Sequence, residues 1–257
     1  MIRLEGIRVD FGGLRAIDHA SFNVDAGSVT GLIGPNGAGK TTAFNVIAGA
    51  IRPNAGRVLF DGEDITGLKP YQRAQRGLAR TFQIPHEFSH LTVLENLMAA
   101  ASAPEGENVF NVIFRRGRFG AEERAIYDHA RETIRFLELD HVLDEKAGNL
   151  SGGQKKLVEL GRALMRNPKI ILLDEIGAGI NRTLLSKLAD KIKLLNQEHG
   201  LTFCLIEHDL DYVSKLCDHV LVMAQGKLLT EGTVDEVRSD ERVIEAYFGG
   251  GKYEAHA

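Results

Sequence analysis

The sequence predicts an α/β fold: a mostly parallel sheet flanked by helices, with an antiparallel β part near the N-terminal end and an α-helical subdomain inserted in the middle. Three observations carry this. Strand-like and helix-like segments alternate through the last third of the chain, the order of a parallel sheet with crossover helices. Ile170-Ile171-Leu172-Leu173 is apolar at every position, as a strand covered on both faces must be. From about 91 to 166 the helical spacings follow one another with no strand pattern between them.

In chain order, residues 2–11 and 16–24 alternate apolar and polar and predict two half-buried strands, broken at Gly12-Gly13 as a hairpin turn would break them. Val29 to Ile33 is a short apolar strand running into glycines, and 41–49 follows as a helix. Arg57 to Phe60 is another short strand, closed by the turn pair Asp61-Gly62. Leu91 to Ala101 and Glu122 to Leu139 are helical by composition and spacing. Between them, 102–121 carries Pro104, several glycines and the basic stretch Arg115-Arg116-Gly117-Arg118, which predicts an irregular insert. Ser151 to Met165 is helical, with Leu157, Leu160 and Leu164 at helical spacing. Helices over 183–197 and 209–216 alternate with buried strands at 201–206 and Val220 to Met223. These segments place a nucleotide-binding α/β core at 1–85 and 161–248, a helical subdomain at 86–160 and a flexible tail at 249–257, all within one domain of 1–257.

Bulk properties exclude several classes. The 257 residues are 44% apolar and 26% charged, ordinary globular usage with length enough for a sizeable core. A net charge of -4 without a long Lys/Arg block argues against nucleic acid as a partner. No apolar run approaches the roughly 18–20 residues that cross a bilayer, and Met1-Ile2-Arg3-Leu4-Glu5 carries charge where a signal peptide is apolar. The expected location is therefore cytoplasmic, with other chains supplying any membrane-crossing part. Two cysteines make neither a metal cluster nor a disulfide framework, and Cys204 in Phe203-Cys204-Leu205-Ile206 is expected to be buried and reduced.

Glycines cluster at 34–39, 152–153 and 177–179, and clustered glycine marks backbone in close, specific contact. Gly34-Pro35-Asn36-Gly37-Ala38-Gly39-Lys40-Thr41 fits G-x-x-x-x-G-K-[ST] between a strand and a helix, the context of a P-loop NTPase core. Its backbone N–H groups and the helix N-terminus suit phosphate oxygens, with Thr42 next in line. Lys40 would reach the β/γ-phosphates of ATP, and the Thr41 hydroxyl would bind Mg²⁺. At the end of the buried strand, Asp174 would hold Mg²⁺ through water and Glu175 could act as general base, at the sheet edge where such folds bind ligands. Leu150-Ser151-Gly152-Gly153-Gln154 supports two readings that can hold together: a capping box formed by Ser151 and Gln154, and a glycine-bearing helix start that presents bare N–H groups to an anion.

A phosphate loop, Leu-Ser-Gly-Gly-Gln and an apolar strand ending Asp-Glu, in that order, resemble the nucleotide-binding domain of ABC transporters over roughly 2–248. The resemblance implies that Ser151 and Gly153 meet the γ-phosphate held by a second subunit, so that the chain is an ATPase working as a homodimer or as a heterodimer with a related ATPase subunit. It further implies that Gln83 contacts Mg²⁺ and the attacking water, that His208 contacts the γ-phosphate and that Phe11 stacks on adenine. Ala79-Arg80-Thr81-Phe82-Gln83, Leu91-Thr92-Val93-Leu94-Glu95-Asn96-Leu97 and Val243-Ile244-Glu245-Ala246-Tyr247-Phe248-Gly249 are similar to ATPases of branched-chain amino acid importers. That likeness implies integral membrane permease subunits docking near 84–100, a separate substrate-binding protein, and a peripheral place on the inner face of the cell membrane. A regulatory or non-transport soluble ABC ATPase is the alternative. One stretch departs from the family: Ile176 stands where proline is usual, and Asn181-Arg182 stands where the D-loop ends in Asp or Asn-Pro. Without proline the loop gains an N–H and loses a fixed φ.

Overall fold

Alternation of side chains builds the first layer. Strands β1 (Ile2–Phe11) and β2 (Leu14–Val24) pair antiparallel around the Gly12-Gly13 turn, and their inward residues Ile2, Leu4, Ile7, Val9, Ile17, Ala20 and Phe22 are buried. The computed structural model describes residues 1–81, 87–101, 116–177, 180 and 182–248. β4 (Ala55–Phe60) pairs with the other edge of β1, and Asp61-Gly62 turns the chain into the short β5 (Glu63–Asp64). The order β2-β1-β4-β5 is the expected antiparallel part.

The second sheet is the one that positions the site. Its order is β10-β9-β3-β8-β7-β6, from β3 (Val29–Ile33), β6 (Leu78–Arg80), β7 (Ile170–Asp174), β8 (Thr202–Ile206), β9 (His219–Ala224) and β10 (Lys227–Gly232). All neighbours run parallel except the edge pair β9–β10. Every residue of β3, β7 and β8 is buried, Thr30, Asp174 and Thr202 included, as strands covered on both faces must be. Cys204 lies in β8, buried and unbridged, and burial pushes its thiol up to about 12.

Helix α1 (Lys40–Ala48) follows β3 and buries Ala43, Phe44, Val46 and Ile47. Its C-terminal end is closed from outside the helix. Arg73, on α2 (Pro70–Gln75) and 1% exposed, donates from Nη1 to Val46 O and Ile47 O at 2.7 Å each. The same guanidinium reaches Thr66 O at 3.0 Å and Leu68 O at 3.1 Å, and burial pushes its pKa down to about 10. A buried arginine that donates to these carbonyls answers the last-turn groups a helix leaves unsatisfied. Arg73→Met is therefore expected to lower unfolding stability by about 3 kcal/mol or more, because two buried and two half-buried carbonyls lose a charged donor. Urea denaturation checks it, and an unchanged midpoint would show that water replaces the guanidinium.

The chain divides into two compact units, 1–80 with 169–177 and 189–257, and 81–168 with 178–188. The second unit holds α3 (Val93–Ala100), α4 (Arg116–Phe136), α5 (Gly152–Leu164) and the first residues of α6 (Arg182–His199). Thr92 caps α3 in a box with Glu95. Buried Asn96 ties the preceding loop to α3, accepting from Phe88 N at 2.8 Å and donating to Phe88 O at 3.0 Å. Gly161 of α5 sits where an added Cβ would lie 3.0 Å from Leu137 Cδ1, so the helices pack closely there.

The irregular insert expected over 102–121 is corrected in part. Residues 116–121 open α4, while 102–115 lie outside the described residues. Gly117 and Gly120 suggest a loop, but a helical glycine costs only about 1 kcal/mol against alanine and does not by itself break a helix. In the first unit, α7 (Leu210–Leu216) falls where expected, and α8 (Val234–Ser239) and α9 (Glu241–Phe248) follow β10. The tail at 249–257 lies outside the described residues.

Candidate functional site

The site is assembled at the C-terminal ends of adjacent parallel strands. β3 delivers Gly34 to Thr41, β7 delivers Asp174 and Glu175, and β8, between them, delivers Glu207 and His208. β6, on the far side of β7, ends at Arg80.

The loop after β3 turns because glycine allows it. Gly34 has φ +144°, and a Cβ there would lie 2.0 Å from Met223 O. Gly39, at φ +99°, is the N-cap of α1, and a Cβ there would lie 2.6 Å from Ala16 O. No side chain caps this helix start and its first turn carries no acidic residue, which leaves its N-terminal dipole for an anion. Ala38 N donates to Pro35 O at 3.2 Å, and Gly226 N donates to Ala38 O at 3.1 Å, so the β9–β10 turn ties the loop down. Asn36 and Gly37 are exposed at its tip; Thr41 is exposed on the first turn of α1, with Thr42 half-buried beside it.

Lys40 is 6% exposed and lies against its own loop, donating from Nζ to Gly34 O at 2.7 Å and Pro35 O at 3.0 Å. Burial holds its pKa below the ordinary lysine value, while the charges of Glu175 and Asp174 pull it back up. Those opposing effects place both carboxylates within electrostatic reach of the loop. Asp174 is 3% exposed and accepts from Arg80 Nη2 at 2.8 Å, and Arg80 Nη1 donates to Asn45 of α1 at 2.5 Å. Glu175 continues the ladder, donating N–H to Ile206 O at 3.0 Å, but with φ at +49°. A non-glycine residue in that region is strained, by about 1–3 kcal/mol, and such strain concentrates at functional sites. Its carboxylate Oε1 lies 2.8 Å from His208 Nε2.

Phe11, 49% exposed, stands at the tip of the β1–β2 hairpin opposite exposed Leu14. Gln83 lies outside the described residues. In the second unit, the Ser151 segment forms the capping box: Gln154 N donates to Ser151 Oγ at 3.3 Å and Ser151 N donates to Gln154 Oε1 at 2.9 Å. Gly152 is exposed, whereas Gly153 is buried and a Cβ there would collide with Leu184 Cδ2 at 2.1 Å. Glycine at 153 thus serves the packing of α5 on α6.

Residues 17–178 match the ABC transporter family, and residues 227–253 match the branched-chain amino acid ATP-binding cassette transporter family. The chain belongs to the ABC transporter ATP-binding family. Members of this family bind nucleotide and are ATPases coupled to transport, and the cassette here has their fold. The chain is 43% identical over 253 residues to a probable branched-chain amino acid transport ATP-binding protein LivG of Methanocaldococcus jannaschii, covering 97% of each chain. A protein of the same description from Archaeoglobus fulgidus is 40% identical over 97% of this chain and 95% of its own. The high-affinity branched-chain amino acid transport ATP-binding protein LivG of Escherichia coli is 33% identical over 97% and 98%. Among solved structures, a nucleotide-free ATP-binding cassette of an ABC transporter superposes with TM-score 0.82 at 40% identity, over 97% and 99% of the two chains. The ADP conformation of such a cassette gives 0.82 at 39%, over 97% and 98%.

Three residues of this ABC ATPase were not assigned from its sequence: Arg80, Asn45 and Glu207. Arg80 and Glu207 each carried a signal, a charge directly at the end of a strand of the buried sheet, like Asp174 and Glu175. Asn45, a polar residue inside a helix, carried none. At the departure from the family pattern, Ile176 is buried and Gly177 N donates to Glu207 Oε1 at 2.8 Å. Ala178, Gly179 and Asn181 lie outside the described residues, and Arg182 opens α6. Among the described residues no group of three or more His, Cys, Asp or Glu could hold a metal, and no helix is long and apolar enough to cross a membrane.

Proposed function

We propose that this chain is the ATP-hydrolysing subunit of an importer for branched-chain or related amino acids, driving membrane permease subunits through closure of an ATPase dimer. The observation that carries the reading is the convergence of Lys40, Asp174, Glu175 and His208 at the ends of three adjacent strands. ATP phosphates would lie on the loop Gly34 to Thr41, with Phe11 against adenine. Lys40 would exchange the Gly34 and Pro35 carbonyls for phosphate oxygens. Glu175 would take the proton of the attacking water, with His208 orienting its carboxylate. Thr41, Asp174 and Gln83 would hold Mg²⁺, which neutralises charge on the β/γ-phosphate oxygens. An oxygen-only set with a buried carboxylate suits that hard cation. Ser151, Gly152, Gly153 and Gln154 would face the γ-phosphate of the opposing subunit. The chain would sit on the cytoplasmic face of the cell membrane, served indirectly by a substrate-binding protein. No observation favours a regulatory or non-transport role.

The test is Mg-ATPase rate against concentration of the purified chain. A rate per molecule that rises with concentration is expected, because each site is completed by a second copy. A flat, substantial rate would refute trans completion, and a negligible rate despite ATP binding would assign the second site to a related chain. Uptake of labelled leucine, isoleucine and valine in cells deleted for the chain tests the cargo, and undiminished uptake of all three would remove it.

A further inference from the structure

Three consecutive residues leaving β8 all grip the turn that carries Glu175. Ile206 O accepts from Glu175 N at 3.0 Å, Glu207 Oε1 accepts from Gly177 N at 2.8 Å, and His208 Nε2 meets Glu175 Oε1 at 2.8 Å. The turn needs such a grip. Glu175 is held at φ +49°, where the left-handed backbone is unfavourable and relaxes unless its surroundings fix it. Position 176 is isoleucine, so no proline ring fixes φ in the turn. Glu207 is only 5% exposed, and burying a carboxylate is costly unless it is hydrogen-bonded. One of its oxygens accepts from a backbone N–H two residues beyond Glu175. With Ile206 holding the near end of the turn and Glu207 the far end, the Glu175 side chain is aimed by backbone fixed on both sides.

We propose that Glu207 is a positioning residue for ATP hydrolysis: its hydrogen bond to Gly177 N holds the strained turn that aims the Glu175 carboxylate. This rests on the reading of Glu175 as the base. Glu207 acts through the backbone and takes no proton in the reaction. Glutamine at 207 keeps an oxygen acceptor at the same reach. Aspartate keeps the charge but falls one methylene short, and alanine removes the acceptor.

The test compares Glu207→Gln, Glu207→Asp and Glu207→Ala in the full chain by amide hydrogen exchange over the peptide containing Gly177, and by Mg-ATP turnover per ATP-binding molecule. Exchange in the aspartate and alanine variants is expected to quicken by about tenfold or more, the size of a lost hydrogen bond to a charged group. Turnover should fall by a similar factor, ATP affinity should stay at the wild-type value, and the glutamine variant, which keeps a neutral acceptor, should fall between wild type and alanine in exchange and turnover. Unchanged exchange in the aspartate variant overturns the proposal, and that variant decides the matter if alanine at 207 prevents folding. Faster exchange with undiminished turnover also overturns it, since the bond would then be merely structural. A glutamine variant as impaired as alanine would also overturn it, because the effect would then belong to the charge and not to the hydrogen bond. Glu175→Gln run alongside separates the two readings: if it retains turnover, the base is misassigned, and exchange still reports whether Glu207 holds the turn.

Discussion

Glu175→Gln is expected to lower Mg-ATP turnover by ~10²–10⁴, the usual contribution of a general base, while leaving ATP binding intact. The substitution is nearly isosteric, and glutamine keeps the oxygen that lies 2.8 Å from His208 Nε2. It also meets the same backbone demand at φ +49°, so the turn should survive. What disappears is the ability to take a proton. Loss of the negative charge also relieves repulsion toward the phosphates, so affinity should hold or rise. ATP should then accumulate unhydrolysed and trap a nucleotide-bound dimer, visible by size-exclusion chromatography with Mg-ATP. Equilibrium titration with a fluorescent nucleotide and a turnover assay on one preparation separate the two effects. Turnover near wild type would take the role of base away from Glu175.

The fold was largely legible because its signals are local. Mostly apolar runs at Val29–Ile33, Ile170–Asp174 and Thr202–Ile206 admit burial on both faces, and Gly12-Gly13 and Asp61-Gly62 mark turns between strands. Elements without such signals were missed. β10 is a half-exposed edge strand paired on one side, and α8 and α9 are short. The site was legible where one segment carries its own chemistry, as the loop to Thr41 and the pair Asp174-Glu175 do. It was not legible where chemistry depends on strand order. Arg80 and Asp174 stand 94 positions apart and meet because β6 pairs beside β7. Glu207 and Gly177 stand 30 apart and meet because β8 ends beside β7. Nothing in local spacing announces either contact.

Lys40→Met is expected to weaken ATP binding by about 100-fold or more while leaving the fold stable. The reason lies in what the lysine does without nucleotide. Its ammonium is buried and donates to the Gly34 and Pro35 carbonyls, and desolvation already lowers its pKa. Such a group is poorly rewarded where it is: two neutral acceptors replace full hydration. Phosphate oxygens carry the opposite charge, and charged hydrogen bonds are worth about 1.5–3 kcal/mol each, so losing two accounts for the drop in affinity. Methionine fills nearly the same length without a charge to desolvate. The loop keeps its ties from Ala38 N to Pro35 O and from Gly226 N to Ala38 O. The urea midpoint should therefore stay at or above wild type even as nucleotide titration fails. Affinity near wild type would place the phosphates elsewhere, whereas a fall in stability matching the fall in affinity would make Lys40 a brace of the empty loop before it is a ligand for ATP.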